Sequence, residues 1–296
     1  MSFLQMELTS RYLYTNEKVN IFLPSPRIQE DSRPDSAIRA FYESGRKFKV
    51  LWLLHGSTES GMSWFLNANI ARYAEERELI VVAPDGLNSE FLNWPDFGTG
   101  YPFWDFFAEE LMPMVQNWLP ASREAKDNYI GGLSMGGNSS LMTALGHPGR
   151  FGGIAILSSA AREVDYLYPA AHMTAAEFAA AAAADPVRFP GPHGDGMRTK
   201  EINAVCKYPT VQAFLDSPEN AWDRLTEAFR AKTLPPIYLC YGTKDPRAPR
   251  YRRFADHLRE MGVEFCCEEF EGLAHEWAVW DPAICHALDY FMKDSA

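Results

Sequence analysis

Five short, continuously apolar segments constrain the fold of this chain more than any other feature of its sequence. The segments are Lys49–Leu54, Leu79–Ala83, Tyr129–Leu133, Gly153–Leu157 and Ile237–Tyr241. Strands that are buried on both faces have this composition, and they belong to parallel sheets covered by helices on each side. Alternation of such strands with helices, joined by right-handed crossovers, predicts an α/β fold with a doubly wound, mostly parallel sheet.

Helices are predicted between these strands, where apolar residues recur at helical spacing. Pro113, within one of them, predicts a kink or a break, and Gly262 is suited to cap the end of another. The predicted helices are Ser63–Glu78, Phe103–Trp118, Met135–Leu145, Pro249–Met261 and Pro282–Met292.

The first residues follow a different pattern. Phe3–Leu13 and Lys18–Leu23 are predicted to be two edge strands of a hairpin. Arg27–Arg46 is rich in charge, proline and serine, which is typical of a solvated connection.

A long segment without a strand pattern, residues 161–234, separates two of the predicted strands. Ala175–Ala184 should be helical because alanine is the best helix former. Thr174 and Glu177 have the spacing of a capping box at its start. Thr210–Ala231 is also predicted to be helical. We interpret 161–234 as a cap or lid inserted into a single domain spanning 1–296; surface decoration is the alternative.

Composition limits the class of protein. The 296 residues include 28 basic and 39 acidic side chains, and this net charge of −11 disfavours nucleic acid as a partner. The sequence shows neither a secretory signal nor an apolar run of the ~20 residues that a membrane span needs. Five cysteines without a repeated spacing suggest free thiols, and no metal or cofactor site. We therefore expect a cytoplasmic protein with no membrane partner, and leave a homo-oligomer open.

The strongest local motif is Gly132-Leu133-Ser134-Met135-Gly136, a G-x-S-x-G sequence between a predicted strand and a predicted helix. This context is the one that a nucleophile elbow requires. The serine occupies a strained turn, and glycines on both sides avoid collisions with the neighbouring strand and helix. Ser134 is the candidate nucleophile.

A serine nucleophile needs a base and an acid, which follow it in chain order as acid and then histidine in this architecture. His275 lies in a glycine-containing loop after the predicted last strand, Glu264–Phe270. Asp245 follows Ile237–Tyr241 and would orient the imidazole. Three other carboxylates lie closer to His275 in sequence and compete for this role: Glu271, Glu276 and Asp281.

Acyl transfer also needs hydrogen-bond donors for the developing oxyanion. One should be the backbone N–H of Met135, the residue after the nucleophile. We assign the other to the backbone N–H of Ser57, in the loop Leu54-His55-Gly56-Ser57. His55 is expected to support this loop without transferring a proton.

Together these motifs resemble the esterase D and tributyrin-esterase branch of the α/β-hydrolases, which includes S-formylglutathione hydrolases, feruloyl and acetyl-xylan esterases and related acyltransferases. The resemblance covers most of the chain outside 161–234, and its most specific part is the run Gly132–Gly137. It implies a serine carboxylic-ester hydrolase with Ser134, Asp245 and His275 as the triad, and the amides of Ser57 and Met135 as the oxyanion hole.

The substrate is expected to be a small short-acyl, aryl or sugar ester. Trp94, Tyr101 and Trp277 are the candidate substrate-binding residues, since aromatic side chains at a site's rim can stack on such groups. Three alternatives stay open: a thioester hydrolase of the S-formylglutathione type, an acyltransferase, and a non-catalytic binding module on the same scaffold.

Overall fold

The computed structural model describes residues 2–26, 34–95, 100–163, 173–185 and 207–293. The strands are β1 (Ser2–Thr9), β2 (Asn16–Leu23), β3 (Val50–Leu54), β4 (Ile80–Pro84), β5 (Asn93–Trp94), β6 (Tyr101–Pro102), β7 (Asn128–Leu133), β8 (Gly153–Leu157), β9 (Ile237–Gly242) and β10 (Phe265–Phe270). Within the described residues, eight of them form one sheet in the order β1-β2-β4-β3-β7-β8-β9-β10. β2 is antiparallel to both of its neighbours, and the strands from β4 to β10 in this order are parallel. The predicted α/β fold with a mostly parallel sheet is confirmed.

The central strands are buried along their whole length, as their apolar composition predicts. Val50, Trp52 and Leu54 of β3 contribute to one hydrophobic cluster, and Leu51 and Leu53 contribute to another. Successive side chains of a strand point to opposite faces of the sheet, so a continuously apolar strand supplies both cores.

The helices are α1 (Pro34–Glu43), α2 (Ser63–Asn67), α3 (Ile70–Glu76), α4 (Phe103–Asp105), α5 (Met112–Trp118), α6 (Met135–Gly146), α7 (Ala175–Ala184), α8 (Val211–Leu215), α9 (Ala221–Arg230), α10 (Ala248–Glu260) and α11 (Trp277–Met292). Two helical stretches differ from the expectation. Ser63–Glu78 divides into α2 and α3 because Ala68 is extended and Asp281 accepts hydrogen bonds from the backbone and side-chain amides of Asn69. In Phe103–Trp118, a π-helical turn over Phe106–Leu111 comes just before Pro113, which has no N–H to continue the regular pattern.

The N-terminal region also differs from its prediction. The hairpin is present, but only β1 lies at the edge, because β2 pairs with β4 on its other side. The predicted connection Arg27–Arg46 contains α1, whereas residues 27–33 lie outside the described part of the chain. Proline is favoured in a first helical turn, and Phe41 packs against Phe48 with ring centroids 5.8 Å apart, which explains an ordered helix here.

Within 161–234, the predicted helix Ala175–Ala184 and its capping box are confirmed: Thr174 and Glu177 exchange side-chain-to-backbone hydrogen bonds. The single helix expected over Thr210–Ala231 is instead divided into α8 and α9, with a turn at Ser217, whose hydroxyl bonds to a carbonyl of α8. α9 packs against α6 and buries Leu225 completely. Residues 164–172 and 186–206 lie outside the described ranges.

The C-terminal helix begins earlier than predicted. α11 starts at Trp277, and Pro282 lies inside it. α11 packs on β8 and β9 and buries Val279 and Ile284. None of the helices described in the structure combines the length and the apolar character that crossing a membrane requires.

Candidate active site

Ser134 lies on a strained turn between β7 and α6. Its backbone angles, φ 52° and ψ −114°, fall in a region that residues other than glycine rarely adopt. Its N–H donates to the carbonyl oxygen of Leu157 in β8 (2.8 Å), which ties the turn to the neighbouring strand. This geometry presents the serine side chain at the carboxyl end of β7.

The glycines on either side of Ser134 are required by close backbone contacts. A Cβ at Gly132 would lie 2.6 Å from the carbonyl oxygen of Leu54, and a Cβ at Gly136 would collide with the same atom. Because the obstacle is backbone of β3, no side-chain rotation could relieve it. The G-x-S-x-G pattern therefore has a steric cause in the packing of β7 and α6 against β3.

His275 and Asp245 form a close hydrogen bond. Nδ1 of His275 is 2.6 Å from Oδ2 of Asp245, whose side chain is fully buried, while the imidazole is 23% exposed. Oδ1 of Asp245 accepts the backbone N–H of Arg247 at 2.9 Å, and the Tyr251 hydroxyl lies 3.4 Å from Oδ2. Burial opposes ionisation of this carboxyl, but the interactions with His275 and Arg247 outweigh it and hold the pKa of Asp245 below its ordinary value. Asp245 is thus a carboxylate that can orient an imidazole and stabilise its protonated form.

The imidazole is also packed against the sheet edge. The ring of Trp280 makes an edge contact with that of His275 (centroids 5.0 Å apart), and Trp280 Nε1–H donates to the Ser158 hydroxyl at 3.0 Å. Ser158 directly follows β8, and its N–H donates to the carbonyl oxygen of Cys240 in β9. Ser134, Asp245 and His275 follow β7, β9 and β10, so all three occupy the carboxyl edge of one parallel sheet.

The competing carboxylates are engaged elsewhere. Asp281 bonds to Asn69 at the start of α3. Glu276 Oε1 accepts the backbone N–H of Ala274 (2.8 Å), and Glu271 is exposed. The structure therefore brings Asp245, rather than a carboxylate nearer in sequence, to Nδ1 of His275.

The loop after β3, residues His55–Ser60, lies beside the nucleophile turn. Burial lowers the pKa of His55, and its ring bonds on both sides: Nδ1–H donates to the Gly56 carbonyl oxygen (2.7 Å) and Nε2 accepts the Gly86 N–H (2.9 Å). A neutral histidine with these partners supports the loop, as the sequence predicts. The backbone N–H of Gly56 donates to Glu59 Oε2 (3.2 Å), and that of Thr58 donates to Asn88 Oδ1 (2.7 Å). The amides on both sides of Ser57 are thus committed to side chains of the protein.

Glu59 is a site residue that the sequence analysis missed. Besides the Gly56 amide, its carboxylate accepts Trp277 Nε1–H at 3.2 Å, which links the loop after β3 to the loop that carries His275. A single carboxylate in a polar loop has no periodic pattern to mark it. Its position three residues after Gly56 was the one available signal.

The three aromatic candidates occupy different surroundings. Trp94 donates to the Ser89 carbonyl oxygen (2.6 Å) and has the Lys207 ammonium 4.5 Å from its ring centroid. Tyr101 stacks on Phe103, and Trp277 packs between Trp64 and Trp280. Contact of these residues with substrate stays a prediction.

Metal-ligand clusters and cysteine pairing were compared with the ranges that the structure covers. Those ranges contain no group of three or more histidine, cysteine or acidic side chains suited to hold a metal ion. Cys240, Cys266, Cys267 and Cys285 are free thiols, and Cys206 lies outside the described residues. That the reaction requires no cofactor stays a prediction.

Comparison with known proteins identifies the family. The Esterase family model matches residues 31–291. An acetyl esterase of Caldicellulosiruptor saccharolyticus is 25% identical over 303 residues, which cover 100% of both chains. FphF, a fluorophosphonate-binding serine hydrolase of Staphylococcus aureus, superposes with a TM-score of 0.73 at 20% identity, covering 98% of each chain. The S-formylglutathione hydrolase FrmB of the same organism gives a TM-score of 0.72, also at 20% identity and with 98% coverage of each chain.

At such identities the two solved structures establish the shared fold, and the family match extends over most of the chain. The elbow at Ser134 and the bonded pair of Asp245 and His275 lie within the matched residues. The chain therefore belongs to the Esterase family, and it is a serine carboxylic-ester hydrolase with the α/β-hydrolase fold.

Proposed function

We propose that the chain hydrolyses short-acyl carboxylic esters through an acyl-enzyme on Ser134, with His275 as general base and Asp245 as the residue that orients it. The observation that carries this proposal is the 2.6 Å contact of His275 Nδ1 with the buried Asp245, at the sheet edge where Ser134 is held in its strained turn. Nδ1–H faces the carboxylate in this arrangement, so Nε2 is the nitrogen left to accept a proton.

The reaction then proceeds in two halves. His275 Nε2 takes the hydroxyl proton of Ser134 as its oxygen attacks the ester carbonyl, and Asp245 stabilises the resulting imidazolium. The tetrahedral oxyanion accepts hydrogen bonds from the amides of Ser57 and Met135, the latter at the N-terminus of α6. His275 returns the proton to the departing alcohol. The same nitrogen then deprotonates a water that attacks the acyl carbon, and the imidazolium gives this proton to the Ser134 oxygen as the acid leaves.

Short-acyl substrates are supported by the acetyl esterase relative, which aligns over 100% of this chain. The thioester alternative is supported by the fold shared with the S-formylglutathione hydrolase FrmB. Both substrates need the same nucleophile and oxyanion donors, and they differ in the leaving group. Selectivity between these two substrates must therefore arise from recognition of the leaving group, which is an alcohol in one and a thiol in the other.

We also propose that 161–234 caps the site. Arg162 forms an ion pair with Glu90 at 2.9 Å, and both side chains are mostly buried. Lys207 pairs with the buried Glu219 and donates to the Asn93 carbonyl oxygen at 2.5 Å. These contacts join the insertion to the loop after β4, and Trp222 of α9 donates to the Arg162 carbonyl oxygen at 2.5 Å. The loop and α9 are therefore candidate walls for the leaving group. Hydrogen exchange in α9, compared before and after a fluorophosphonate occupies the site, should show protection if the insertion covers it and no change if it does not.

The main test combines labelling with a substrate panel. The wild-type chain should react with a fluorophosphonate probe and should hydrolyse p-nitrophenyl acetate faster than longer-chain p-nitrophenyl esters, whereas Ser134→Ala should do neither. Methyl ferulate should be assayed in parallel to test an aryl acyl group, and acetylated xylan and S-formylglutathione to compare a sugar alcohol with a thiol as leaving group. A folded wild-type chain that neither labels nor hydrolyses any of these esters would contradict the proposal, and a preference for S-formylglutathione would establish the thioester alternative.

A further inference from the structure

Glu59 is a half-buried carboxylate that the triad does not use, although it lies between two parts of the catalytic machinery. Its two oxygens have separate partners: Oε2 accepts the backbone N–H of Gly56, and Oε1 accepts Trp277 Nε1–H, both at 3.2 Å. Gly56 precedes Ser57, the assigned oxyanion donor, and Trp277 lies two residues after His275. One side chain therefore bonds to both catalytic loops.

The aromatic side chains around Trp277 extend this link to the imidazole. Trp277 makes edge contacts with Trp64 of α2 (centroids 5.2 Å apart) and with Trp280 (5.3 Å), and Trp280 in turn contacts the His275 ring at 5.0 Å. Trp64 Nε1–H donates to the Leu54 carbonyl oxygen at the end of β3. The indole of Trp277 thus contacts two other indoles, which restrict its rotation away from Glu59.

Glu59 lies among other charged groups near the site. Burial raises the pKa of this carboxyl above its ordinary value, and the Gly56 amide, the Trp277 indole and the charge of His275 only partly oppose that shift. Of the other charged groups here, Asp245 faces Nδ1 of His275, Arg247 is 3.6 Å from Asp245, and Glu276 bonds to the Ala274 amide. The two hydrogen bonds of Glu59, rather than its charge, connect the two parts of the site.

We propose that Glu59 is a positioning residue that holds the oxyanion loop and the loop of the general base in one fixed arrangement. This inference rests on the proposed function, since it assumes that Ser57 and His275 act as assigned there. Formation of the oxyanion and of the imidazolium occurs in the same step, so a rigid connection between their two loops preserves the alignment that this step needs.

The test uses Glu59→Gln, Trp277→Phe and the double variant. Glutamine has one acceptor oxygen and must place its NH₂ group against one of the two N–H donors, so Glu59→Gln breaks one bond and removes the charge. Trp277→Phe keeps an aromatic ring in place and removes the N–H. Glu276→Gln is the matched control, because it removes a charge one residue from His275 and keeps an acceptor for the Ala274 amide.

Initial rates with p-nitrophenyl acetate should show kcat lowered about tenfold to a hundredfold by Glu59→Gln, with KM changed less than about threefold, since the interaction acts on the transition state. Trp277→Phe should lower kcat in the same way, and the double variant should be no worse than the poorer single one. Glu276→Gln should match the wild type within about twofold.

The inference is overturned if folded Glu59→Gln retains wild-type kcat, if the two single effects simply multiply, or if Glu276→Gln reproduces the loss. Thermal melting and far-ultraviolet circular dichroism establish which variants fold, and Trp277→Phe decides the matter if Glu59→Gln does not. Failure of the proposed function gives a different result, a wild-type chain without esterase activity or fluorophosphonate labelling.

Discussion

Replacing Asp245 with asparagine perturbs the base–acid pair while preserving its shape. In the wild type, Oδ1 accepts the Arg247 N–H at 2.9 Å and Oδ2 faces His275 Nδ1 at 2.6 Å. The asparagine oxygen must stay opposite the Arg247 N–H, because an NH₂ group there would oppose another donor. Its NH₂ group then faces Nδ1, which has to become an acceptor. The ring proton moves to Nε2, and Nε2 can no longer take the proton of Ser134.

The expected magnitude follows from this change of tautomer. In the Ser-His-Asp template, the same exchange lowers kcat about 10⁴-fold. This is equivalent to a barrier raised by roughly 5 kcal/mol, at about 1.36 kcal/mol for each factor of ten. KM should change little, since Asp245 is fully buried and does not reach the substrate.

Steady-state rates with p-nitrophenyl acetate, followed by stopped flow to resolve acylation, measure this loss. Asp281→Asn is the matched control: it makes the same exchange in a carboxylate close to His275 in sequence, but one that bonds to Asn69. It should stay within about twofold of the wild type, because this carboxylate bonds to Asn69 rather than to the imidazole and the bond is exposed. A folded Asp245→Asn variant with a loss below about tenfold, or a large loss in Asp281→Asn, would refute the assignment of the acid, since a tautomer change costs about 10⁴-fold.

Three further predictions concern the scaffold. Gly136→Ala should lower stability by about 2 kcal/mol or more in urea denaturation, because its Cβ would meet the Leu54 carbonyl oxygen; wild-type stability would contradict this steric account. Burial, followed by the charge of Asp85, raises the pKa of Glu17 from 4.5 to about 8. The folded state therefore retains a proton that the unfolded state loses, and stability falls as the pH rises through this window. As the pH rises from 5 to 8, the free energy of unfolding of Glu17→Gln should increase relative to that of the wild type by on the order of 3 kcal/mol. Equal pH dependence of stability in the two chains would refute this prediction. Thr174→Ala should cost α7 about 1 kcal/mol by removing its N-cap, detected as faster hydrogen exchange; unchanged exchange would contradict the capping role.

Local sequence patterns predicted a structural feature correctly where the residues that cause it lie within one short segment. The continuously apolar strands predict burial on both faces, and the capping box at Thr174 needs only residues within one helical turn. Breaks in the helices could not be predicted from local sequence in the same way. Ala68 has no property that ends a helix, and the division between α2 and α3 depends on Asp281, more than two hundred residues away.

The hairpin shows the same limit. The sequence predicts Lys18–Leu23 as an edge strand of the hairpin, but it does not identify the partner on the second side of that strand. Pairing with β4 makes β2 an internal strand and leaves β1 at the edge. The pairing of β2 with β4 is formed by backbone hydrogen bonds, which depend little on residue type and so leave no clear pattern in the sequence.

The sequence by itself determined the fold class and the position of the elbow, because buried parallel strands and a glycine-flanked serine leave local signatures in residue type. The sequence also favoured Asp245 as the acid, and the tertiary structure decided between it and the three carboxylates nearer to His275. Only the tertiary structure showed that Glu59 bonds to both catalytic loops. Asp245 reaches the imidazole from the end of a neighbouring strand, and Glu59 reaches Trp277 across 218 positions of sequence. Such contacts depend on the order of strands in the sheet, and that order cannot be predicted from the separation of residues along the chain.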